Sequence, residues 1–319
     1  MRAVIIPGDG IGPEVISSAV QAIESVSTGL EMEDAEMGLG TYQRTGSYLP
    51  ERTVELLHEV PAALFGAITS PLTYDPAYRS PLLQLRREFE LYANIRPVRR
   101  LHEDIGLVDL DVVVVRENTE GMYTGVERDV EGGVVTERLV TVKACQRLVD
   151  RALRLCAEQH RRRITCVHKS NVLRRSDGLF RQIFYERAEG SDVEANDILV
   201  DAAAAALVSK PRELDVLVTL NLYGDILSDE AAPQGDRLAL FEPTHGSAPD
   251  IAGKGMANPS AAILSAAMML RHLGSKAEAA KLEAAMERTL ALGHRTRDAG
   301  GRLGTEAFTK AYLEVLGTL

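Results

Sequence analysis

Short apolar runs alternate with stretches of helical period along nearly the whole chain. Runs at 3–6, 63–68, 111–115, 164–167, 198–200, 216–220 and 238–241 are rich in Val, Ile, Leu and Ala. Such runs mark strands buried on both faces. Between them, apolar residues recur at spacings of three and four, as in Val15, Ile16, Ala19, Val20 and Ile23. The same period predicts helices over 50–57, 82–91, 144–161, 179–189, 202–209, 260–273, 276–292 and 305–316. Residues 92–97 run into a further strand, and 74–81 has loop character. The alternation predicts an α/β fold, with no internal repeat, low-complexity tract or linker.

The stretch 127–143 breaks this pattern. It is polar and β-branched, with Gly132-Gly133 at its centre, which is a hairpin signature. It has little apolar content of its own, so it is expected to protrude and pair with a partner chain.

Residues 214–230 read LDVLVTLNLYGDILSDE. The apolar run is a buried strand, and Asn221 and Gly224 break it. A helix after Gly224 places Asp225 and Asp229 one turn apart on one face. The plain reading is a solvated acidic helix start. The sharper one is a site for a hard divalent cation, Mg²⁺ or Mn²⁺, at the carboxyl edge of an α/β sheet.

The chain has 319 residues, 45% of them hydrophobic, enough for two domains or one large one with a substantial core. The net charge of −10 and the absence of Trp argue against a nucleic-acid partner or an anionic membrane surface. No apolar run approaches a membrane span. Three cysteines without CxxC spacing suit free thiols in a reducing cytoplasm, and the N-terminus lacks the apolar core of a signal peptide.

Strand 3–6 leads into Pro7-Gly8-Asp9-Gly10-Ile11-Gly12, whose glycine spacing is not the dinucleotide fingerprint. Arg86, Arg96 and Arg116 lie at or near element ends, where three converging guanidinium groups can hold two carboxylates. Lys169 follows an apolar strand, a setting that suits proton transfer or a snorkelling side chain. Tyr123 follows the Arg116 segment and can act as an acid or as packing.

Six motifs in order carry a resemblance over nearly the whole chain: IIPGDGIGPEV, ELYANIRP, VVVRENTEGMYTG, HKSNVL, NLYGDILSDEAA and FEPTHGSAPDIAGKGMANPSAAILSAAMML. Together they resemble the β-decarboxylating dehydrogenases, which include isopropylmalate, homoisocitrate and isocitrate dehydrogenases. The resemblance implies a two-domain, non-Rossmann α/β fold with a dimerisation arm. Residues 1–99 and 239–319 would form a cofactor-binding domain. Residues 100–238 would form the substrate, metal and dimerisation domain, with the arm at about 127–143.

By the same resemblance, Arg86, Arg96 and Arg116 would hold the malate carboxylates. Tyr123 and Lys169 would be the acid–base pair, with Lys169 acting in the partner subunit's site. Asp225 and Asp229 would bind the metal from one subunit and Asp201 from the other. NAD would lie along His245, Gly246, Ser247, Ala248, Asp250, Ile251 and Asn258, with its nicotinamide end near Ile11 and Thr69. Asp250 and Ile251 stand where NADP-using relatives resemble a Lys-Tyr pair, so NAD is the expected cofactor.

The expected reaction is metal- and NAD-dependent oxidative decarboxylation of a 3-substituted malate by a homodimer or higher homo-oligomer. The other reading is a non-catalytic regulatory subunit of the same fold. Such a subunit would be expected to lack some reactive groups, and Tyr123, Lys169, Asp201, Asp225 and Asp229 are all present. Leu82 and Leu83 would face the C3 substituent, which favours 3-isopropylmalate. Arg79 or Ser80 would instead meet an anionic substituent, as in homoisocitrate. The segment LFGAITSP also looks closer to homoisocitrate enzymes. The resemblance further predicts a longer, Gly-rich stretch between Asp229 and the FEPTHG segment. Here residues 231–237 close that gap directly, which bears on local packing.

Overall fold

The computed structural model describes residues 1–26, 29–71, 78–104, 109–227, 232–234, 238–243 and 245–319. The chain divides into two compact units, each with its own core. The first comprises Met1–Phe89, Leu101–Ile105 and Glu230–Leu319; the second comprises Glu90–Arg100 and Gly106–Asp229.

The first unit opens with β1 (Arg2–Gly8), α1 (Gly12–Ser25), β2 (Glu31–Asp34), α2 (Leu39–Thr45), α3 (Glu51–Glu59), β3 (Ala62–Ala67) and α4 (Pro81–Glu88). The second unit contains β4 (Ala93–Arg99), β5 (Asp111–Glu117), the hairpin β6 (Glu127–Val130) and β7 (Gly133–Thr136), and α5 (Val142–Gln159). It continues with β8 (Arg163–His168), α6 (Ser176–Ala188), β9 (Glu194–Leu199), α7 (Val200–Ser209), β10 (Val216–Thr219) and α8 (Asn221–Leu227). The chain then returns to the first unit with β11 (Ala232–Gln234), β12 (Ala239–Phe241), α9 (Ser260–His272), α10 (Lys276–Ala291) and α11 (Thr305–Leu316).

Strands of the first unit run in the order β2-β1-β3-β12-β11, parallel except where β11 meets β12. Its core joins Ile5, Ile16, Leu64, Phe241, Met269, Phe308 and Tyr312, so α1, α9 and α11 cover the apolar runs. Strands of the second unit run β4-β5-β10-β8-β9, parallel except for β4 against β5. Leu148, Val149 and Phe184 from α5 and α6 pack on one face. Ala203 of α7 packs with Val112, Val167 and Leu217 on the other. Both faces of these strands are therefore buried, as continuous apolar runs require. No helix among the described residues is long and apolar enough to cross a membrane.

Several boundaries differ from the sequence reading. Helix α4 stops at Glu88 rather than reaching 91, because Glu90 takes a left-handed conformation (φ 45°) to turn into β4. Strand β5 runs on through Arg116 and Glu117, held by seven paired positions along β4. That pairing also places residues 90–100 in the second unit, so the crossing expected at 99/100 falls at 89/90. The return expected at 238/239 falls at 229/230.

The hairpin strands end at Thr136. Thr141 caps α5 by accepting the Ala144 N–H, so 142 and 143 are helix rather than arm. Asp201 sits in the first turn of α7 rather than at a strand end. Strand β2, helix α2 and strand β11 were not anticipated; β2 reads EMED and carries no apolar alternation. Of the loop expected at 74–81, residues 74–77 lie outside the described residues, as does Asp229.

Candidate active site

In the second unit a charged cluster forms where β4, β5 and α8 meet. Asn94 and Arg116 lie opposite each other in the antiparallel pair, and the two-residue period puts Arg96 on the same face as Asn94. Arg116 is 1% exposed. Its Nε and Nη2 donate to Asn221 Oδ1 at 3.0 and 2.7 Å, and its Nη1 pairs with Asp225 Oδ1. Arg96 Nη2 lies 3.6 Å from the same Asp225 oxygen. Tyr123 donates its hydroxyl to Asp225 Oδ2 at 2.5 Å, and Arg116 lies over its ring at 5.3 Å. Asn221 Nδ2 donates to the Glu120 carbonyl at 2.8 Å, which ties α8 to the loop that carries Tyr123.

Helix α8 starts three residues before Gly224, so the described pair at i and i+4 is Asn221 and Asp225. Sequence reasoning treated Asn221 only as a strand breaker and missed it. The signal available was the spacing, since Asn221 stands four positions before Asp225. Gly224 does not break the helix. A Cβ there would lie 2.5 Å from Arg116 Cγ and 2.6 Å from its Cβ, so glycine lets α8 lie against the buried arginine.

Lys169 and Asp201 form a pair of their own. His168 is paired with Leu199 across β8 and β9, which brings the following residues close. Lys169 Nζ donates to Asp201 Oδ1 at 2.5 Å. The hydrogen bond from Lys169 is the main cause that holds the Asp201 carboxyl below the usual range. Asp225 and Asp201 offer only carboxylate oxygens, a donor chemistry that fits Mg²⁺ or Mn²⁺. Among the described residues, no group of three His, Cys, Asp or Glu side chains is placed to hold a metal ion. The third carboxylate of the expected set, Asp229, is outside them.

In the first unit, Arg86 on α4 is 7% exposed and lies 3.6 Å from Glu242. Its Nε is buried without a hydrogen-bond partner among the described residues. Leu82 and Leu83 are half-buried on the first turn of the same helix. Ser80 caps that helix, its hydroxyl accepting the Leu83 N–H at 3.4 Å. The exposed Arg79 donates to the Tyr78 carbonyl at 2.9 Å.

The glycine-rich turn after β1 packs on the 245–251 segment. Ile11 N–H donates to the Ser247 carbonyl at 2.9 Å. Gly10 has φ 61°, and a Cβ there would stand 1.9 Å from the Ser247 oxygen. Between them, Asp9 accepts three backbone N–H groups, from Leu39, Gly40 and Thr69, at 2.7, 2.8 and 2.9 Å. It thereby sets the position of Thr69, a role the sequence did not reveal. His245 keeps its Nε2 buried and unpartnered among the described residues. Ala248 takes a left-handed φ of 37°, and its carbonyl accepts the Ile251 N–H. Asp250 is exposed. Asn258 donates to Asp298 at 2.8 Å and accepts from the Ser260 N–H at the start of α9.

Residues 2–315 match the family described as isocitrate/isopropylmalate dehydrogenase. The 3-isopropylmalate dehydrogenase of Methanothermobacter thermautotrophicus is 45% identical, with 96% of this chain and 95% of that one covered. The isocitrate/homoisocitrate dehydrogenase of Thermus thermophilus is also 45% identical, with 100% and 99% covered. Among solved structures, isocitrate dehydrogenase from Methylococcus capsulatus superposes with a TM-score of 0.94 at 36% identity, covering 99% of each chain. The apo β-decarboxylating dehydrogenase from Thermococcus kodakarensis gives a TM-score of 0.88 at 40% identity, covering 99% of this chain and 96% of that one.

Proposed function

Because this chain belongs to the isocitrate/isopropylmalate dehydrogenase family and is an oxidatively decarboxylating dehydrogenase, we propose that it converts a 3-substituted malate, 3-isopropylmalate first, with NAD and Mg²⁺ or Mn²⁺. The observation that carries this reading is the cluster of Arg96, Arg116 and Tyr123 around the Asp225 carboxylate. It sets anion-binding guanidinium groups, a phenol and a candidate metal ligand within reach of one small molecule.

Arg96 and Arg116 would take the malate carboxylates, with Arg86 as the third guanidinium. Asp225, Asp229 and the partner subunit's Asp201 would hold the cation. When bound, the cation would polarise the substrate's hydroxyl and carbonyl oxygens, and the nicotinamide would accept the C2 hydride. Lys169, reaching the partner subunit's site, would take the hydroxyl proton as the C2–H bond breaks. The β-keto acid so formed loses CO₂, and Tyr123 would protonate the carbon left behind.

Asp250 favours NAD: its carboxylate can accept hydrogen bonds from ribose hydroxyls and repels a 2′-phosphate. Half-buried Leu82 and Leu83 favour an alkyl substituent at C3. Arg79, just before the helix that Ser80 caps, is the cationic group for an anionic substituent. Homoisocitrate is therefore the second substrate. One apolar group is worth only about 1–3 kcal/mol of discrimination, so the two overlap. The exposed hairpin β6–β7, with Val130 and Val134 outward, supports a homodimer joined through this arm.

The test is nucleotide reduction with NAD and NADP across a panel of 3-substituted malates, with Mg²⁺ or Mn²⁺ present. The highest kcat/KM is expected for 3-isopropylmalate with NAD. A preference for homoisocitrate that Arg79→Ala erases would overturn the leucine argument. A kcat/KM for NADP at or above that for NAD would overturn the cofactor assignment.

A further inference from the structure

We infer that Asp177 is a positioning residue for Lys169, fixing the backbone of the proposed proton-transfer group within its own subunit so that its side chain leaves the sheet edge from one set position. The inference rests on the role given to Lys169 above. Asp177 stands in the first turn of α6 and is wholly buried, with no exposed surface. Its carboxylate gathers donors from four directions. Oδ2 accepts the Lys169 backbone N–H at 2.7 Å and the Tyr223 hydroxyl at 3.0 Å. Oδ1 pairs with Arg138 Nη1 and accepts from Ser176 Oγ at 3.4 Å. Arg138 also lies over the Tyr223 ring at 5.1 Å.

Three of the four donors come from other elements. Lys169 is on the turn after β8. Tyr223 is on α8, two residues from Asp225 and two from Asn221. Arg138 follows the hairpin. One buried carboxylate thus fixes the Lys169 turn relative to α8. The rest of that turn is saturated as well. His168 accepts the Ser170 N–H through Nδ1 at 3.1 Å, and its Nε2 lies 2.9 Å from Asp197. The Lys169 carbonyl accepts from the N–H groups of Val172 and Leu173.

This matters for chemistry because a lysine reaches its target through four rotatable bonds. The fold can hold the Cα and leave the rest to local contacts, here Asp201. A misplacement of about 1 Å at a reacting group costs on the order of 100-fold in rate. Asparagine at 177 cannot replace the carboxylate. It offers one accepting oxygen where two are used, so its NH₂ must face either Arg138 and Ser176 or the Lys169 N–H.

The test uses the full-length chain in its natural assembly, with NAD and the malate that the panel selects. Asp177→Asn is expected to lower kcat by about 10- to 100-fold while both KM values stay within about threefold. Amide exchange at Lys169 and Ser170 should speed up in the same variant. Asp177→Glu, which keeps two accepting oxygens, should recover part of the lost kcat. If Asp177→Asn does not fold, Tyr223→Phe decides. It removes one donor from Oδ2 and should lower kcat severalfold with faster exchange at Lys169.

A folded Asp177→Asn with wild-type kcat overturns the inference, and so does a kcat loss matched by an equal KM rise. A Tyr223→Phe variant with unchanged kcat and exchange also overturns it. Lys169→Met separates this from the reading beneath it. If Lys169→Met keeps its turnover, the role of Lys169 falls. If Lys169→Met is inactive while Asp177→Asn is not, only the positioning role falls.

Discussion

Gly224→Ala tests whether α8 is shaped by the arginine it covers. In an ordinary helix this change is favourable by about 1 kcal/mol, because alanine has the higher propensity. Here the added Cβ would stand 2.5 Å from Arg116 Cγ, 2.6 Å from its Cβ and 3.0 Å from its Cδ. These atoms are the base of the side chain, not its mobile end. Arg116 lies in β5 between Asn94 of β4 and Thr219 of β10, so its Cβ cannot retreat without moving the sheet. Overpacking of this kind costs roughly 1–3 kcal/mol. Set against the propensity gain, a net loss of about 1 kcal/mol is expected, or about 2–4 °C in Tm. The shift of α8 should also loosen both hydrogen bonds from Arg116 to Asn221. A KM for the malate raised about tenfold corresponds to about 1.4 kcal/mol, within reach of one charge-assisted hydrogen bond. Thermal unfolding and steady-state kinetics read the two effects. A Gly224→Ala protein that melts higher than wild type, with unchanged KM, would refute the argument.

Asp225→Asn should abolish turnover while leaving the melting curve close to wild type, since the amide keeps the shape of the side chain; full activity of this variant in EDTA would sink the metal assignment. Deleting the hairpin over 127–136 should give an inactive monomer by light scattering, because β6 and β7 have no core of their own; an active monomer would reject the arm's role and the shared site together. The three thiols should resist alkylation at pH 8 until the protein is unfolded, because burial pushes Cys145 up to about 12, Cys156 to about 11 and Cys166 upward as well; rapid labelling of the native protein would contradict their burial. Burial raises the Asp197 carboxyl, but hydrogen bonds from Arg181, Tyr185 and His168 outweigh it and hold the group well below its ordinary value of 3.8. A depressed carboxyl stabilises the fold above the unfolded value and loses that contribution as pH falls through the folded one. The stability gap between wild type and Asp197→Asn should therefore be open at neutral pH and shrink below 3.8; a gap that widens on acidification would reverse the sign of the argument.

The parts of this molecule that were legible in its sequence are those set by local pattern. Buried strands showed as apolar runs, and Thr305–Leu316 has the bounds that its periodicity predicts. The motifs together identified the family because each couples a strand end to a reactive side chain. What stayed hidden depends on partners far away in the chain. Gly224 reads as a breaker unless one knows that Arg116 lies against it, 108 positions earlier. Asp9 and Asp177 read as ordinary acidic residues near helix starts. Their burial and their donors, from Leu39, Gly40 and Thr69 in one case and Lys169, Tyr223 and Arg138 in the other, are long-range facts. Edge strand β2 was missed because its polar residues give no alternation to read.

The level of the chemistry in the second unit follows from one cross-strand row. Arg116, Thr219, Val167 and Ile198 are register partners across the parallel strands β5, β10, β8 and β9. Counted from that row, Asn221 and Lys169 each lie two residues further along, and Asp201 lies three. Parallel strands rise about 3.3 Å per residue, so these side chains leave the same sheet edge within a few ångströms of one level. The apolar strand runs therefore do more than build a core. Their register decides which polar residues emerge together. A one-residue slip of β8 against β10 would turn the buried Val167 and Cys166 to opposite faces. The same slip would carry Lys169 about 3.3 Å along the edge, away from Asp201 and from the Asp177 carboxylate. Burial on both faces makes that slip costly, so the hydrophobic pattern that predicts the fold also sets the level at which these polar side chains leave the sheet.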